Sequence, residues 1–299
     1  MSNEQGYLDL LNYIVKNGEE RQDRTGTGTL SIFAPLPLKF DLSNGLLPLL
    51  TTKRVPIKAV IEELLWFLRG DTDAKILQEK GVKIWDGNSS RDFLDSRGLS
   101  YPDGVLGSVY GFQWRHFGAK YKEEYADTSK LPKEVHEKIG GFDQVKYVED
   151  LIKNDPTSRR IFMSAWNPFD LDKMALPPCH VSCNFYVSQG KYLSCHMYQR
   201  SVDMFLGLPF NIASYSILTC ILAKKCGLEP KELTISFGDA HVYLNHLPQV
   251  KEQLSRVPYD SPTIQLANIK DKEYHELFLD DFKINDYKCH SRIIAKMAV

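Results

Sequence analysis

Pro177, Pro178, Cys179 and His180 form a stiff approach to one thiol, and Cys183 follows in the same segment. Three kinds of chemistry suit these residue types. Cys179, His180 and Cys183 could ligate a metal, Cys179 could be a nucleophile, or the segment could be a strand entry that buries its thiols. If the segment runs extended at ~3.3 Å per residue, Cys179 and Cys183 share a face but stand about 13 Å apart, and His180 points the other way. One zinc needs its ligands at ~2.0–2.3 Å from a common centre, and no C-x-x-C or H-E-x-x-H occurs elsewhere to complete a set, so no metal is expected. On residue types alone the nucleophile and the buried thiol both stand. A free thiol with a pKa of ~8.5 is mostly protonated at neutral pH, so a working thiolate needs a nearby cation. Arg200, just past the strand that returns from this segment, is the candidate. For His180 an ordinary buried strand histidine is expected.

Two further stretches offer anion chemistry. The run "DRTGTGTL" from Asp23 to Leu30 has G-x-G but no third glycine, and it precedes a strand where the dinucleotide fingerprint follows one. It reads as a turn whose Gly26 and Gly28 supply unusual backbone angles, with Arg24 left as an anion ligand. "TSRR" places Arg159 and Arg160 side by side after a turn. Paired guanidiniums grip phosphate well, although solvated charges are the commoner outcome for such a pair.

The elements that must position these groups follow from periodicity. The N-terminal stretch reads as an amphipathic helix with Leu8, Leu11, Ile14 and Val15 on one face and Gly18 at its end. "PIKAVIEELLWFLRG" is the clearest helix, with Pro56 suited to its first turn and Gly70 to its stop. Between Asp86 and Lys133 the pattern dissolves into Gly, Ser, Tyr and Lys, which predicts long surface loops. "DQVKYVEDLIKN" and "NIASYSILTCILAKKCG" are helices. "TGTLSIF", "RIFMSAW" and "ELTISF" are strands, and "VSCNFYV" with "YLSCHMY" forms a hairpin. No repeat or compositional break divides the 299 residues, so one α+β domain over 1–299 is expected, without the order of a doubly wound sheet.

Composition excludes several function classes. Lys+Arg of 37 against Asp+Glu of 38 provides no global field for nucleic acid or an anionic membrane, so nucleic acid is not expected as the main partner. No apolar segment reaches the ~18–20 residues of a membrane span, and the N-terminus lacks a secretory pattern. Six cysteines are too few for a disulfide scaffold at this length. A cytoplasmic place, with the nucleus also open, is the expectation.

Taken together, "DRTGTGTLSIF", "PLLTTKR", "EELLWFLRG", "IWDGN", "VYGFQWRHFGA", "DPTSRRIFMSAWNPFDLDKMALPPCH", "YQRSVDMFLGLPFNIASY", "GDAHVYLNH" and the terminal "KMAV" closely resemble the thymidylate synthase family. The resemblance runs collinearly from about Tyr7 to Val299, with a loop-rich insert at about 89–133 like the eukaryotic version. No fused dihydrofolate reductase part accompanies it, so the monofunctional form is expected. The resemblance implies a large mixed sheet packed by helices, dimerising through the sheet face. It implies a methyltransferase that converts dUMP to dTMP with 5,10-methylenetetrahydrofolate as co-substrate and without a metal.

Residue by residue, the resemblance makes Cys179 the nucleophile at uracil C6, with Arg200 as its cation and as a phosphate ligand beside Arg24 and Ser201. Arg159 and Arg160 match arginines that reach the phosphate from the other subunit of a homodimer. Asn211 matches the amide that reads the uracil edge. His241 and Tyr243, with Val242 between them, match the sugar-hydroxyl site, and Val202 and Asp203 continue the nucleotide segment. Glu63 matches a carboxylate for proton transfer, and Tyr110 a group near the C5 proton. Ile84, Trp85, Asn88, Asp203, Leu206, Phe210 and Ala298 match the folate surface and the closing tail. Two positions depart from the pattern. Val202 stands where relatives carry Gly or Cys, and Pro56 where they carry His or Phe, which puts contacts to the folate tail at Pro56 in doubt. A pyrimidine hydroxymethylase on the same fold is the rival within the class, and Asn211 favours uracil over the cytosine preferred by members with Asp there. A non-catalytic nucleotide- or RNA-binding protein is the rival outside it.

Overall fold

The computed structural model describes residues 3–136 and 138–297, and within them the chain is α+β with a mixed sheet. In chain order the longer helices are α1 (Gln5–Asn17), α2 (Ile57–Arg69), α3 (Tyr110–His116), α4 (Gln144–Asn154), α5 (Gly207–Cys226) and α6 (Leu247–Leu254). The strands are β1 (Glu19–Arg21), β2 (Thr29–Phe33), β3 (Leu38–Asp41), β4 (Phe162–Ser164), β5 (His180–Ser188), β6 (Tyr192–Asp203), β7 (Glu229–Tyr243), β8 (Thr263–Leu266) and β9 (Phe282–Asn285). Packing groups them into two compact units made of discontinuous segments, and the division falls inside β5.

The first unit comprises residues up to Ile57, Phe185–Lys270 and Asp280 onward. β7 is its spine. It pairs antiparallel with β2 and β3 and parallel with β6, and β1 adds to β2. A parallel pair needs a crossover, and α5 supplies it between β6 and β7. α5 buries Leu208, Ile212, Ile217, Leu218, Ile221 and Leu222, while Ser216 and Thr219 turn their hydroxyls back to the carbonyls of Ile212 and Tyr215 at 2.7 Å. The sequence pattern starts this helix at Asn211, but it begins at Gly207, because Pro209 in the first turn gives up only an N–H that has no helical partner there. The segment after β3 is tied to the chain start by Glu4. Its buried carboxylate accepts the backbone N–H groups of Thr51 and Thr52 and both their hydroxyls.

The second unit comprises Lys58–Asn184 and Asp271–Leu279. α2 stops as expected at Gly70, whose φ is 87°. Its buried surface is wider than a surface helix needs, because Glu62, Glu63, Trp66 and Phe67 are buried along with Val60, Ile61, Leu64, Leu65 and Leu68. The prediction of long surface loops over residues 86–133 is wrong at its start and in its middle. Short helices cover Asp86–Ser89 and Arg91–Ser96, and α3 buries Tyr110, Phe112, Gln113 and Trp114. A helix of two turns buried on every side shows no apolar periodicity, which is why the sequence read as loop. Gly111 explains its seating, since an added Cβ would stand 2.6 Å from the Asp71 carbonyl oxygen just past α2. β4 pairs with the first half of β5, with Met163 opposite Cys183.

Candidate active site

The thiol's surroundings in the second unit come first. Cys179 occupies a bend directly before β5, half-buried, with Pro178 buried behind it. Its backbone N–H donates to the Tyr110 hydroxyl oxygen at 2.7 Å. Tyr110 is fixed in turn by aromatic packing. His180 stacks on its ring at 3.9 Å and 8°, Phe67 lies 5.0 Å away, and Trp85 meets it edge-on at 6.2 Å. His180 is thus a buried strand histidine, and burial lowers its pKa to about 3, so the ring is neutral.

Glu63 lies on α2 with 9% of its surface exposed. Trp85 Nε1–H donates to its Oε1 at 2.8 Å. Burial raises its pKa to about 7, and the Trp85 hydrogen bond opposes that shift only in part. A carboxyl group that titrates near neutrality can both accept and return a proton. Trp85 and Asn88 are buried, and Ile84 is half-buried. Arg159 and Arg160 lie on an exposed turn before β4.

The remaining predicted residues converge in the first unit, at one end of the sheet. The register sets Ser201 beside Asp239, Val202 beside Ala240 and Asp203 beside His241 on parallel β6 and β7, with Thr29 of β2 opposite Tyr243. The C-terminal ends of two parallel strands therefore carry Arg200, Ser201, Val202, Asp203, His241, Val242 and Tyr243 together, the place where open α/β sheets bind ligands. The Arg24 loop closes on the same end, because the Leu244 N–H donates to the Gly28 carbonyl at 3.0 Å. Asp23 shapes that loop by accepting from Thr25 N–H, Thr25 Oγ1–H and Gly28 N–H at 2.6–2.9 Å, with Gly26 and Gly28 at φ of 71° and 79°. Arg24 itself is exposed.

Asp203 Oδ1 accepts the Phe205 and Leu206 N–H groups at 2.8 and 3.2 Å, which fixes the carboxylate at the start of α5. Asn211 and Phe210 follow in the opening turns of that helix, both half-buried. This set offers an oriented carboxylate as an acceptor, with apolar Leu206 and Phe210 close to it in sequence. Ala298 lies outside the described residues. The chain leading to it is held by His246, whose Nε2–H donates to the Lys296 carbonyl at 2.8 Å. Val202 is fully buried, so its side chain packs and only its backbone is offered at that position. Among the described residues, no three His, Cys, Asp or Glu side chains gather as a metal set.

Sequence reasoning missed Asp239, which is hydrogen-bonded to His241, and Asp23, which shapes the Arg24 loop. The signal for Asp239 was its place two residues before His241 on a strand, which puts both on one face.

A family model described as thymidylate synthase matches residues 5–299. Thymidylate synthase of Saccharomyces cerevisiae is 52% identical over 306 residues, covering 99% of this chain and 97% of the relative. That of Candida albicans is 52% identical, covering 95% of this chain and 92% of the relative. The bifunctional dihydrofolate reductase-thymidylate synthase of Paramecium tetraurelia is 50% identical over 99% of this chain, and the chain spans 61% of its length. Against the Zea mays bifunctional protein the span is 54%.

Proposed function

Because the chain belongs to the thymidylate synthase family, we propose that it is a methyltransferase that converts dUMP to dTMP, with 5,10-methylenetetrahydrofolate as co-substrate. The observation that carries this reading is the placement of Cys179 at the entry to β5, its N–H on the Tyr110 hydroxyl. Uracil C5 is a poor nucleophile. Addition of the Cys179 thiolate across the C5–C6 double bond forms an S–C6 bond and leaves an enolate that makes C5 reactive, which splits one hard step into easier ones. The folate supplies the one-carbon unit and the hydride and leaves as dihydrofolate.

The chain's own residues do the rest. Arg24, Arg200 and Ser201 hold the phosphate, His241 and Tyr243 the sugar hydroxyl, and Asn211 the uracil edge, while Val202 and Val242 complete the backbone around the nucleotide. Glu63 takes and returns protons through ordered water, supported by its pKa near 7. Tyr110, whose hydroxyl oxygen accepts the Cys179 N–H, lies near the proton lost from C5. Asp203, Leu206, Phe210, Ile84, Trp85 and Asn88 hold the folate, and Ala298 steadies the tail over it.

The protein acts as a homodimer through the sheet face, with Arg159 and Arg160 reaching the partner's phosphate site. Support for this comes from β5 and β6, where Tyr186 and Tyr198 stay 68% and 41% exposed, and from the exposed turn that bears the two arginines. Among the described residues no helix is long and apolar enough to cross a membrane, and a cytoplasmic or nuclear place suits the reading.

Product identity is the test. Incubation with dUMP and methylenetetrahydrofolate should yield dTMP and dihydrofolate in equal amounts. A hydroxymethyl nucleotide with tetrahydrofolate would assign the hydroxymethylase reaction instead, and unchanged dUMP would leave a binding protein.

A further inference from the structure

Asp239 and His241 alternate on β7 and so project from one face of the sheet. His241 Nδ1 lies 2.8 Å from Asp239 Oδ1. A carboxylate only accepts, so this ring nitrogen carries a proton, and in the neutral ring Nε2 is then the nitrogen that keeps a lone pair. The carboxylate is held from its other side as well. Ser31, opposite His241 on β2 and 3% exposed, donates its hydroxyl to Asp239 Oδ2 at 2.8 Å, and Arg21 stands 3.7 Å from the same oxygen. Partial burial alone would raise the acid's pKa. The hydrogen bonds from His241 and Ser31 and the neighbouring charges outweigh that, and hold Asp239 below the usual carboxylate range. The residue's backbone carbonyl accepts the Met204 N–H at 2.9 Å, and Tyr243 packs edge-on against the imidazole at 5.2 Å.

We propose that Asp239 is a positioning residue that holds His241 in the tautomer with an accepting Nε2, and thereby makes the site select nucleotides whose sugar carries a free hydroxyl donor. This rests on the assignment of His241 to the sugar hydroxyl given above. A fixed lone pair rewards an O–H and leaves a buried acceptor unpaired when the hydroxyl is missing, which is the strongest form of discrimination between close analogues.

The test compares two ligands, dUMP and 2′,3′-dideoxy-UMP, by calorimetry on the wild type, Asp239→Asn and Ser31→Ala. NMR of the imidazole nitrogens reads the tautomer in parallel. The wild type should prefer dUMP by roughly tenfold or more, as one well-placed hydrogen bond to a buried group allows. In Asp239→Asn the preference should shrink below about threefold, with the Nε2–H tautomer populated and dideoxy-UMP binding almost unchanged. Ser31→Ala, which frees one carboxylate oxygen, should move the ratio the same way by a smaller factor, and it serves as the test if the Asn variant does not fold. Equal losses for both ligands, or an unchanged ratio with an unchanged tautomer, would mean that Asp239 only supports the strand, and the inference fails. A wild type that does not discriminate would overturn the placing of His241 at the sugar, and the inference with it.

Discussion

Glu63 concentrates the unusual chemistry at the scale of single residues. Burial lifts its pKa from the ordinary 4.5 of a glutamate to about 7, so protonation favours the folded state across that window. The raised folded value means that its stabilising contribution is complete below about pH 4.5 and is lost as pH rises through about 7. Glu63→Gln removes the ionisation and keeps an acceptor for Trp85. The variant should match the wild type in urea melts at about pH 4.5 and exceed it at about pH 8 by roughly 3 kcal/mol at most. Its kcat should fall by about a hundredfold or more and lose the inflection near neutrality. Equal stability differences at both pH values would show that the carboxyl is not held neutral by burial. The sequence made Cys179, Arg24, Arg200 and Asn211 legible because each sits in an uncommon local string. It did not reveal Asp239, because an aspartate on a strand looks the same whether it meets solvent or a histidine on its own face.

α3 is the element on which the thiol's surroundings depend, since it carries Tyr110 and its seat is set by Gly111. A methyl group there would meet the Asp71 carbonyl oxygen at 2.6 Å, and neither backbone can give way easily. Gly111→Ala should therefore destabilise the protein by about 1–3 kcal/mol, as overpacking does. It should also lower kcat more than dUMP affinity, because Tyr110 moves while Arg200 and Ser201 stay on β6 and Arg24 in its own loop. A variant with normal melting and normal kcat would show that α3 has room to shift. Periodicity found α4 and the β5–β6 hairpin because each exposes one side and buries the other, and α2 because Pro56 and Gly70 bracket its apolar run. It missed α3 and shortened α5, since both are buried nearly all round and their apolar residues mark no face. β7 was read as "ELTISF" alone, although the strand runs on through "GDAHVY" to Tyr243 with Asp239 and His241 alternating with Ala240 and Val242.

At the scale of the whole molecule, two discontinuous units divide the predicted site residues between them, with Glu63, Arg159, Arg160 and Cys179 in one and Arg24, Arg200, Ser201, Asn211, His241 and Tyr243 in the other. The proposed homodimer adds a further division, because Arg159 and Arg160 act on the partner's nucleotide. Chains with Cys179→Ala and chains with Arg159→Ala/Arg160→Ala should each be nearly inactive. Mixed and refolded in equal amounts, they should recover about a quarter of wild-type activity, since half the dimers are hybrids and each hybrid has one complete site. No recovery, with hybrids shown to form, would place the arginines in their own subunit's site. The central claim is that the Cys179 sulfur does the chemistry rather than filling a strand entry. It is tested most directly by Cys179→Ser, with turnover and calorimetric dUMP affinity measured on the same preparation. The account predicts turnover below roughly a thousandth of wild type with the dUMP Kd within about threefold, because a nucleophile is lost while every phosphate, sugar and base contact remains. Turnover above that level would contradict it, and so would a loss of dUMP affinity as large as the loss of rate.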